Sequence, residues 1–233
     1  MSSQPMGPPP ADVAIVRELA ARVRELAESD EYEARRKRWR DVNERRRPDR
    51  APVWCRPAGV WKEILPQDQL ECTDPLCRSV EYRLRQDLYK DWIGDDHIPA
   101  AWWGVGAVFQ CTTEHTWGLP THVSTGSTEL GGFRYGHPVE APEDYDRITV
   151  PDFIYDAEAT QRNASRMAEL LGDAMPVKLT GSPPLGAHHS VYLEQLRGLA
   201  PMMEDMAFHP HLVHRAMAKI TEGILRSMRV AEE

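Results

Sequence analysis

The chain lacks several features that mark common classes of protein. It has no apolar run close to the ~20 residues that a membrane-spanning helix needs. Its four cysteines include no C-x-x-C pair and are irregularly spaced. Its net charge of −8 provides no positive field to collect nucleic-acid phosphates. These absences argue against a membrane protein, a zinc ribbon and a general nucleic-acid binder, and they predict reduced thiols in a cytoplasmic protein.

The composition is that of a globular domain. With 233 residues, 41% of them hydrophobic and 27% charged, the chain can bury a substantial core. Residues 1–10 contain four prolines and no apolar segment, so they are predicted to form a disordered tail and not a secretory signal. Residues 11–233 are predicted to form one domain.

Apolar periodicity and capping residues predict the helices. Residues 11–28 and 210–229 each place apolar side chains on one helical face. Asp74, which precedes a proline, and Asp156 are predicted to cap two further helices. The mixed acidic and basic residues of 31–50 predict a solvated helix face in preference to a phosphate-binding patch.

Three short apolar segments predict strands. They lie at residues 52–55, at the end of 98–111, and at 176–181. Residues 117–150, rich in Gly, Thr and Pro without helical periodicity, predict a loop-rich insertion. Because strands alternate with helices, the fold class is predicted to be α/β with a parallel sheet.

The segment that contains the first predicted strand carries a specific sequence pattern. Residues 52–54 read P-V-W, and residues 56–66 read R-P-A-G-V-W-K-E-I-L-P. This resembles the uroporphyrinogen decarboxylase-like family, in which a P-P-V-W strand is followed by R-Q-A-G-R-Y-L-P. Residues 138–148, 176–183 and 203–214 are similar to later family segments in the same order. The resemblance covers residue 30 onward and implies a partial TIM barrel, its first three strands preceded by a helical extension.

The resemblance is incomplete at positions that matter for decarboxylation. In the family's decarboxylases two arginines follow the first strand, and an aspartate ends the second. This chain has Arg56 at the first arginine position, Val60 at the second, and Cys111 at the position of the aspartate. A valine cannot bind a carboxylate. These departures argue against authentic uroporphyrinogen decarboxylase activity.

The same superfamily contains zinc-dependent methyltransferases that exchange methyl groups between corrinoid proteins and thiols or other acceptors. The resemblance therefore implies corrinoid-linked methyl transfer slightly ahead of decarboxylation of a porphyrinogen or another carboxylated substrate. In those relatives the zinc ligands follow the segment matched here. No metal ligand is predicted in this chain, and zinc and corrinoid would belong to the complete enzyme. The third alternative is a truncated, non-catalytic fragment or a module that binds a corrinoid protein, with homodimer formation favoured by an open sheet edge.

Three residues are predicted to act in catalysis. Gln110 and Cys111 end the second predicted strand, where barrel enzymes place functional groups. His189 falls where the family has a tyrosine and could act as an acid or base. For Cys111 an inert buried thiol is the alternative.

Three more residues are predicted to bind substrate. Arg56, at the end of the first predicted strand, would hold an acidic group, with a salt bridge at the barrel rim as the alternative. Trp103 and His188 would line the pocket, and core packing is the alternative for the tryptophan. The predicted partners are a small molecule or a corrinoid protein, and neither nucleic acid nor membrane.

Overall fold

The computed structural model describes residues 7–57, 59–125 and 132–232. Most of the predicted tail, residues 1–6, therefore lies outside the described residues, and Pro10 already begins a helix. The chain forms two compact units, the first made of Met1–Val105 with Gln161–Leu179 and the second of Gly106–Thr160 with Thr180–Glu233. Helices and short strands are both present, as expected for a mixed α/β chain.

The first unit is mainly helical. Its helices are α1 (Pro10–Glu28), α2 (Asp30–Asn43), the single turn α3 (Trp61–Ile64), α4 (Pro75–Ile93) and most of α5 (Ala157–Leu171). The predictions of a helix at 11–28 and of a charged helix after it are confirmed. The prediction for Asp74 is also confirmed, because its carboxylate accepts the N–H groups of Leu76 and Cys77 at 2.9 and 3.0 Å.

The core of the first unit lies between α1, α4 and α5. The apolar face of α1 packs against the buried face of α4, and the last turns of α5 complete the cluster. Its buried members include Val16, Leu19, Val23, Val80, Leu84, Leu170 and Leu171. The carboxylate of Asp12 in the first turn of α1 accepts the N–H groups of Thr73 and Asp74, each at 2.7 Å, and so ties α1 to the start of α4.

A pair of strands completes the first unit. Strand β1 (Trp103–Gly106) lies beside β6 (Val177–Thr180). The N–H of Trp103 donates to the Pro176 carbonyl at 2.8 Å, and the N–H of Ala107 donates to the Thr180 carbonyl at 2.9 Å. Because these bonds advance in the same direction along both segments, the pair is parallel. The third predicted strand is thus confirmed as β6.

Two strand predictions need correction. Residues 52–55 form an irregular loop and not a buried strand, and the side chains of Val53 and Trp54 are 56% and 52% exposed. The second predicted strand is two short strands, β1 and β2 (Phe109–Cys111), separated by two residues. Residues 52–55 are a loop because the carboxylates of Asp96 and Asp95 accept the main-chain N–H groups of Val53 and Cys55. A neighbouring strand would otherwise have bound these N–H groups.

The second unit contains the other strands and three helices. Strand β2 pairs antiparallel with β5 (Phe153–Tyr155), and β3 (His122–Thr125) pairs antiparallel with β4 (Phe133–Gly136). The expected parallel arrangement is therefore wrong for β2. Strands β3 and β4, with a 3-10 turn at Pro142–Arg147, lie in the predicted loop-rich insertion, whose residues 126–131 fall outside the described residues.

The helices of the second unit are α6 (His189–Arg197), α7 (Leu199–Phe208) and α8 (Pro210–Glu232). The predicted helix at 210–229 is thus confirmed and slightly longer. Its apolar face packs with α6, α7 and the insertion around a core that includes Trp117, Val139, Tyr145, Leu193, Leu196, Ala216, Ile220 and Ile224. None of the helices in the described part of the chain is both long and apolar enough to cross a membrane.

Candidate functional site

The loop that carries Arg56 is held by two consecutive aspartates. Gly94 ends α4 in the left-handed conformation, at φ 69°, and the chain turns there into Asp95 and Asp96. The Asp95 carboxylate accepts the N–H of Cys55 at 2.9 Å, and the Asp96 carboxylate accepts the N–H of Val53 at 2.7 Å. The main chain on both sides of Trp54 is therefore fixed by buried carboxylates.

Both aspartates are neutralised by cations. Asp96 pairs with Arg38 and Arg50, and Asp95 pairs with Lys90 at 3.1 Å. Burial raises the pKa of Asp96, but hydrogen bonds from Arg50, from the Val53 N–H and from Arg38 outweigh it and hold this pKa below its ordinary value. Asp96 therefore stays ionised at neutral pH, as a structural counter-ion.

Arg56 lies in a small pocket beside this loop, with a volume of about 250 Å³. We call it the Arg56 pocket. Two tryptophans from the loop and from α3 provide apolar walls, while α4 and the loop after it contribute polar and charged groups. The lining residues are Trp54, Cys55, Arg56, Pro57, Trp61, Arg83, Gln86, Asp87, Lys90 and His97.

The charges of the Arg56 pocket are paired, with one exception. Asp87 is 2.9 Å from His97 Nε2 and 3.6 Å from Arg83, and Lys90 is bound to Asp95. The Arg56 guanidinium lies over the ring of Trp54, 5.1 Å from its centroid, and forms no ion pair with any described carboxylate. Arg56 is thus a cation that could bind an anion without first breaking a salt bridge.

Trp103 belongs to the same unit but does not line this pocket. It begins β1, is half-buried, and packs against the core of the first unit. The structure therefore places it in the packing role that was the alternative to substrate binding.

Gln110 and Cys111 lie in the second unit. The amide of Gln110 donates to the Asp156 carboxylate at 2.6 Å, and Asp156 also accepts the N–H of Ala159 at 2.8 Å as the N-cap of α5. The half-buried thiol of Cys111 is 3.2 Å from the Thr113 hydroxyl. Both side chains have local polar partners.

His188 and His189 stand at the start of α6. The exposed ring of His188 lies near Gly186 and is 6.5 Å from the ring of Tyr192, while His189 is half-buried. Within the described residues, no hydrogen bond, ion pair or ring contact joins either histidine to Gln110 or Cys111. Arg56 and Trp103 thus belong to the first unit, and the other four predicted residues belong to the second. Arg56 lies in a pocket with several convergent polar groups.

Sequence reasoning missed the residues that support this pocket. No motif or periodicity in the sequence marks Lys90, Asp95, Asp96 and His97 as functional. A local signal was present, since two adjacent acids follow directly after a helix-ending glycine. The main-chain N–H groups that bind those acids lie 40 and 43 positions earlier in the chain, and sequence spacing does not reveal them.

Metal-binding geometry and similarity to known proteins give no further assignment. Over residues 7–57, 59–125 and 132–232, no group of three or more His, Cys, Asp and Glu side chains is arranged to hold a metal ion. No family model matches the chain, and neither a curated protein nor a solved structure shows significant similarity to it.

Proposed function

We propose that this chain is a uroporphyrinogen decarboxylase-like protein that forms the amino-terminal part of a TIM-type barrel and serves corrinoid-linked methyl transfer. The parallel pairing of β1 with β6, which α5 precedes in the chain, supports the fold. The observation that carries the functional proposal is Arg56, a guanidinium without a carboxylate partner among the described residues in a pocket walled by Trp54 and Trp61. Its role would be to bind the acidic group of the methyl acceptor.

The charge of the pocket favours methyl transfer over porphyrinogen decarboxylation. A porphyrinogen presents several carboxylates, which need several available cations, whereas Arg83 and Lys90 are already paired with Asp87 and Asp95. Val60, at the position of the second family arginine, supplies no charge. The volume of about 250 Å³ lies just below the roughly 300–1,000 Å³ of typical ligand sites. A small acid with one anionic group fits these properties better than a macrocycle.

The described residues do not fit a zinc site. Cys111 has Thr113 as its polar neighbour, and no second thiolate or imidazole joins it in a metal-binding group within the described part of the chain. No step is therefore assigned to zinc here. The proposed contribution of this chain is to bind and orient an acidic acceptor through Arg56.

A pair of acceptors tests this role. Methyl transfer itself would belong to the complete enzyme, so binding of 3-mercaptopropionate and of the neutral 2-mercaptoethanol to the 233-residue chain is measured by calorimetry. We expect Arg56→Ala to raise Kd for the acid about tenfold or more, because a charge-assisted hydrogen bond is lost. Kd for the neutral thiol should not change. Arg22→Ala, which removes an exposed arginine of α1, is the matched control.

The same proteins separate the alternatives. Binding of uroporphyrinogen that Arg56→Ala weakens, without binding of the thiol acid, would favour the decarboxylase. Binding of acids that Arg56→Ala abolishes, whether or not they carry a thiol, would favour a non-catalytic binding module. Equal affinity for acid and neutral thiol in wild-type protein and Arg56→Ala would overturn the role of Arg56.

A further inference from the structure

A second cavity shares walls with the Arg56 pocket. Its volume is about 320 Å³, and it is lined by Trp39, Trp54, Asp96, His97 and Ile98. We call it the Trp39 cavity. Trp54 and His97 line both cavities. A ligand that is bound in one cavity and extends past the side chains of Trp54 and His97 would therefore enter the other.

The Trp39 cavity offers mainly apolar surface. The indole N–H of Trp39 already donates to the Asp96 carbonyl at 2.8 Å. The Asp96 carboxylate is already bound by two guanidinium groups and one main-chain N–H. With these polar groups satisfied, the parts of Trp39, Trp54 and Ile98 that line the cavity can contact a ligand, and such surfaces favour apolar groups.

Trp54 is exposed and yet firmly positioned. The residue is 52% exposed. The residues before and after it, Val53 and Cys55, are hydrogen-bonded to the buried carboxylates of Asp96 and Asp95. A fixed, exposed aromatic ring loses little conformational entropy when a ligand covers it.

We propose that the two cavities bind one ligand, a monocarboxylate with an apolar body. Its carboxylate would pair with Arg56, and its body would cross Trp54 into the Trp39 cavity. The role of Arg56 rests on the function proposed above. The Trp39 cavity adds the apolar body of the ligand to that proposal. Each cavity alone is near the lower limit of the roughly 300–1,000 Å³ of ligand sites, and together they fall within that range.

A series of carboxylic acids of increasing alkyl length tests the Arg56 pocket and the Trp39 cavity separately. Acetate, butanoate, hexanoate and octanoate are titrated calorimetrically into the wild-type chain, with 1-hexanol as the neutral match of hexanoate. Affinity should rise about fourfold for each added methylene, because each buries apolar surface, until the Trp39 cavity is filled. Hexanoate should bind about tenfold or more tightly than hexanol, because only the acid pairs with Arg56.

Two variants test which cavity holds each part of the ligand. Arg56→Ala should lower the affinity for every acid by the same factor and leave the dependence on chain length intact. Ile98→Ala should reduce that dependence for the longer acids and leave acetate binding unchanged, and Ile98→Val is the milder variant if the alanine protein folds poorly.

Two results would overturn the proposal that one ligand occupies both cavities. If acids bind through Arg56 without any dependence on chain length, the Trp39 cavity takes no part and the proposed role of Arg56 survives. If hexanol binds as tightly as hexanoate and Arg56→Ala changes neither affinity, the role of Arg56 is wrong as well.

Discussion

Val53 and Asp96, 43 positions apart, bind each other through two hydrogen bonds. The N–H of Val53 donates to the Asp96 carboxylate at 2.7 Å, and the N–H of Asp96 donates to the Val53 carbonyl at 2.7 Å. This pairing fixes the loop that presents Trp54 and Arg56. Because both proposed cavities include Trp54, the ligand site depends on a carboxylate whose hydrogen bonds are made within the protein.

Asp96→Asn should destabilise the first unit by about 2–3 kcal/mol, because it leaves Arg38 and Arg50 without their shared buried counter-ion. The free energy of unfolding in urea measures the loss. Asp49→Asn is the control, since it removes a carboxylate that also pairs with Arg38 but is 64% exposed, and its effect should be much smaller. Equal effects of the two substitutions would contradict the structural role given to Asp96.

Stability should fall in acid as Glu81 becomes protonated. Burial raises the pKa of Glu81, but the N–H groups of Glu71 and Cys72 and the Arg85 guanidinium outweigh it and lower this pKa overall. A carboxylate with a lowered folded-state pKa stabilises the protein above its unfolded pKa, about 4.3 for glutamate, and this stabilisation is lost as the pH falls through the folded value.

The contribution of Glu81 to the melting temperature should therefore change little between about pH 7 and 5 and should decrease below about pH 4. Glu81→Gln should lower the melting temperature at neutral pH, and the difference from wild type should shrink towards pH 3. A difference that is constant with pH would show that ionisation of Glu81 does not stabilise the fold.

The four thiols should react at very different rates. Burial raises the pKa of Cys72 to about 12 and that of Cys77 to about 11, while Cys55 is exposed. Since the thiolate is the reactive form, a disulfide reagent at pH 8 should modify Cys55 first and leave Cys72 and Cys77 protected. Cys55→Ser should remove the fast phase, and guanidinium should restore reaction of every remaining thiol. Rapid modification of Cys72 in the folded protein would contradict its buried position.

Gly223→Ala should destabilise the protein although alanine is the better helix former. Gly223 is buried in α8, and an added Cβ would lie 2.7 Å from Pro151 Cδ and 2.9 Å from Trp117 Cζ3. Overpacking of this kind costs about 1–3 kcal/mol, against a gain of about 1 kcal/mol in helix propensity. Urea unfolding should show a net loss, partly restored in the double variant with Pro151→Ala. A higher stability of the single variant would mean that the helix is not packed this closely.

Asp74→Ala should cost about 1 kcal/mol, because it removes the acceptor for two N–H groups at the start of α4. Asp74→Ser should keep most of the stability, since a serine hydroxyl can accept the same bonds. Denaturant unfolding of the two variants gives the comparison. If serine and alanine are equally destabilising, the carboxylate acts through its charge and not as a cap.

The candidate site was predictable only in part. Arg56 could be singled out because a basic residue follows a short apolar segment, and its anion-binding role stays a prediction. The residues that shape its pocket, Lys90, Asp95 and His97, could not be found in the same way. Their importance comes from contacts with a distant loop, and no periodicity or motif in the sequence records such contacts.

The sequence by itself determined α1, α8 and the start of α4, because apolar spacing of three to four residues and caps such as Asp74 act within a few positions of the chain. Only the tertiary structure decided that residues 52–55 form a loop and that Gln110 pairs with Asp156. The apolar run at 52–55 has the composition of a strand, but Asp95 and Asp96 accept N–H groups that a neighbouring strand would otherwise have bound. Which partner binds a main-chain N–H can depend on residues far away in the chain, and that choice is made only when the first unit folds.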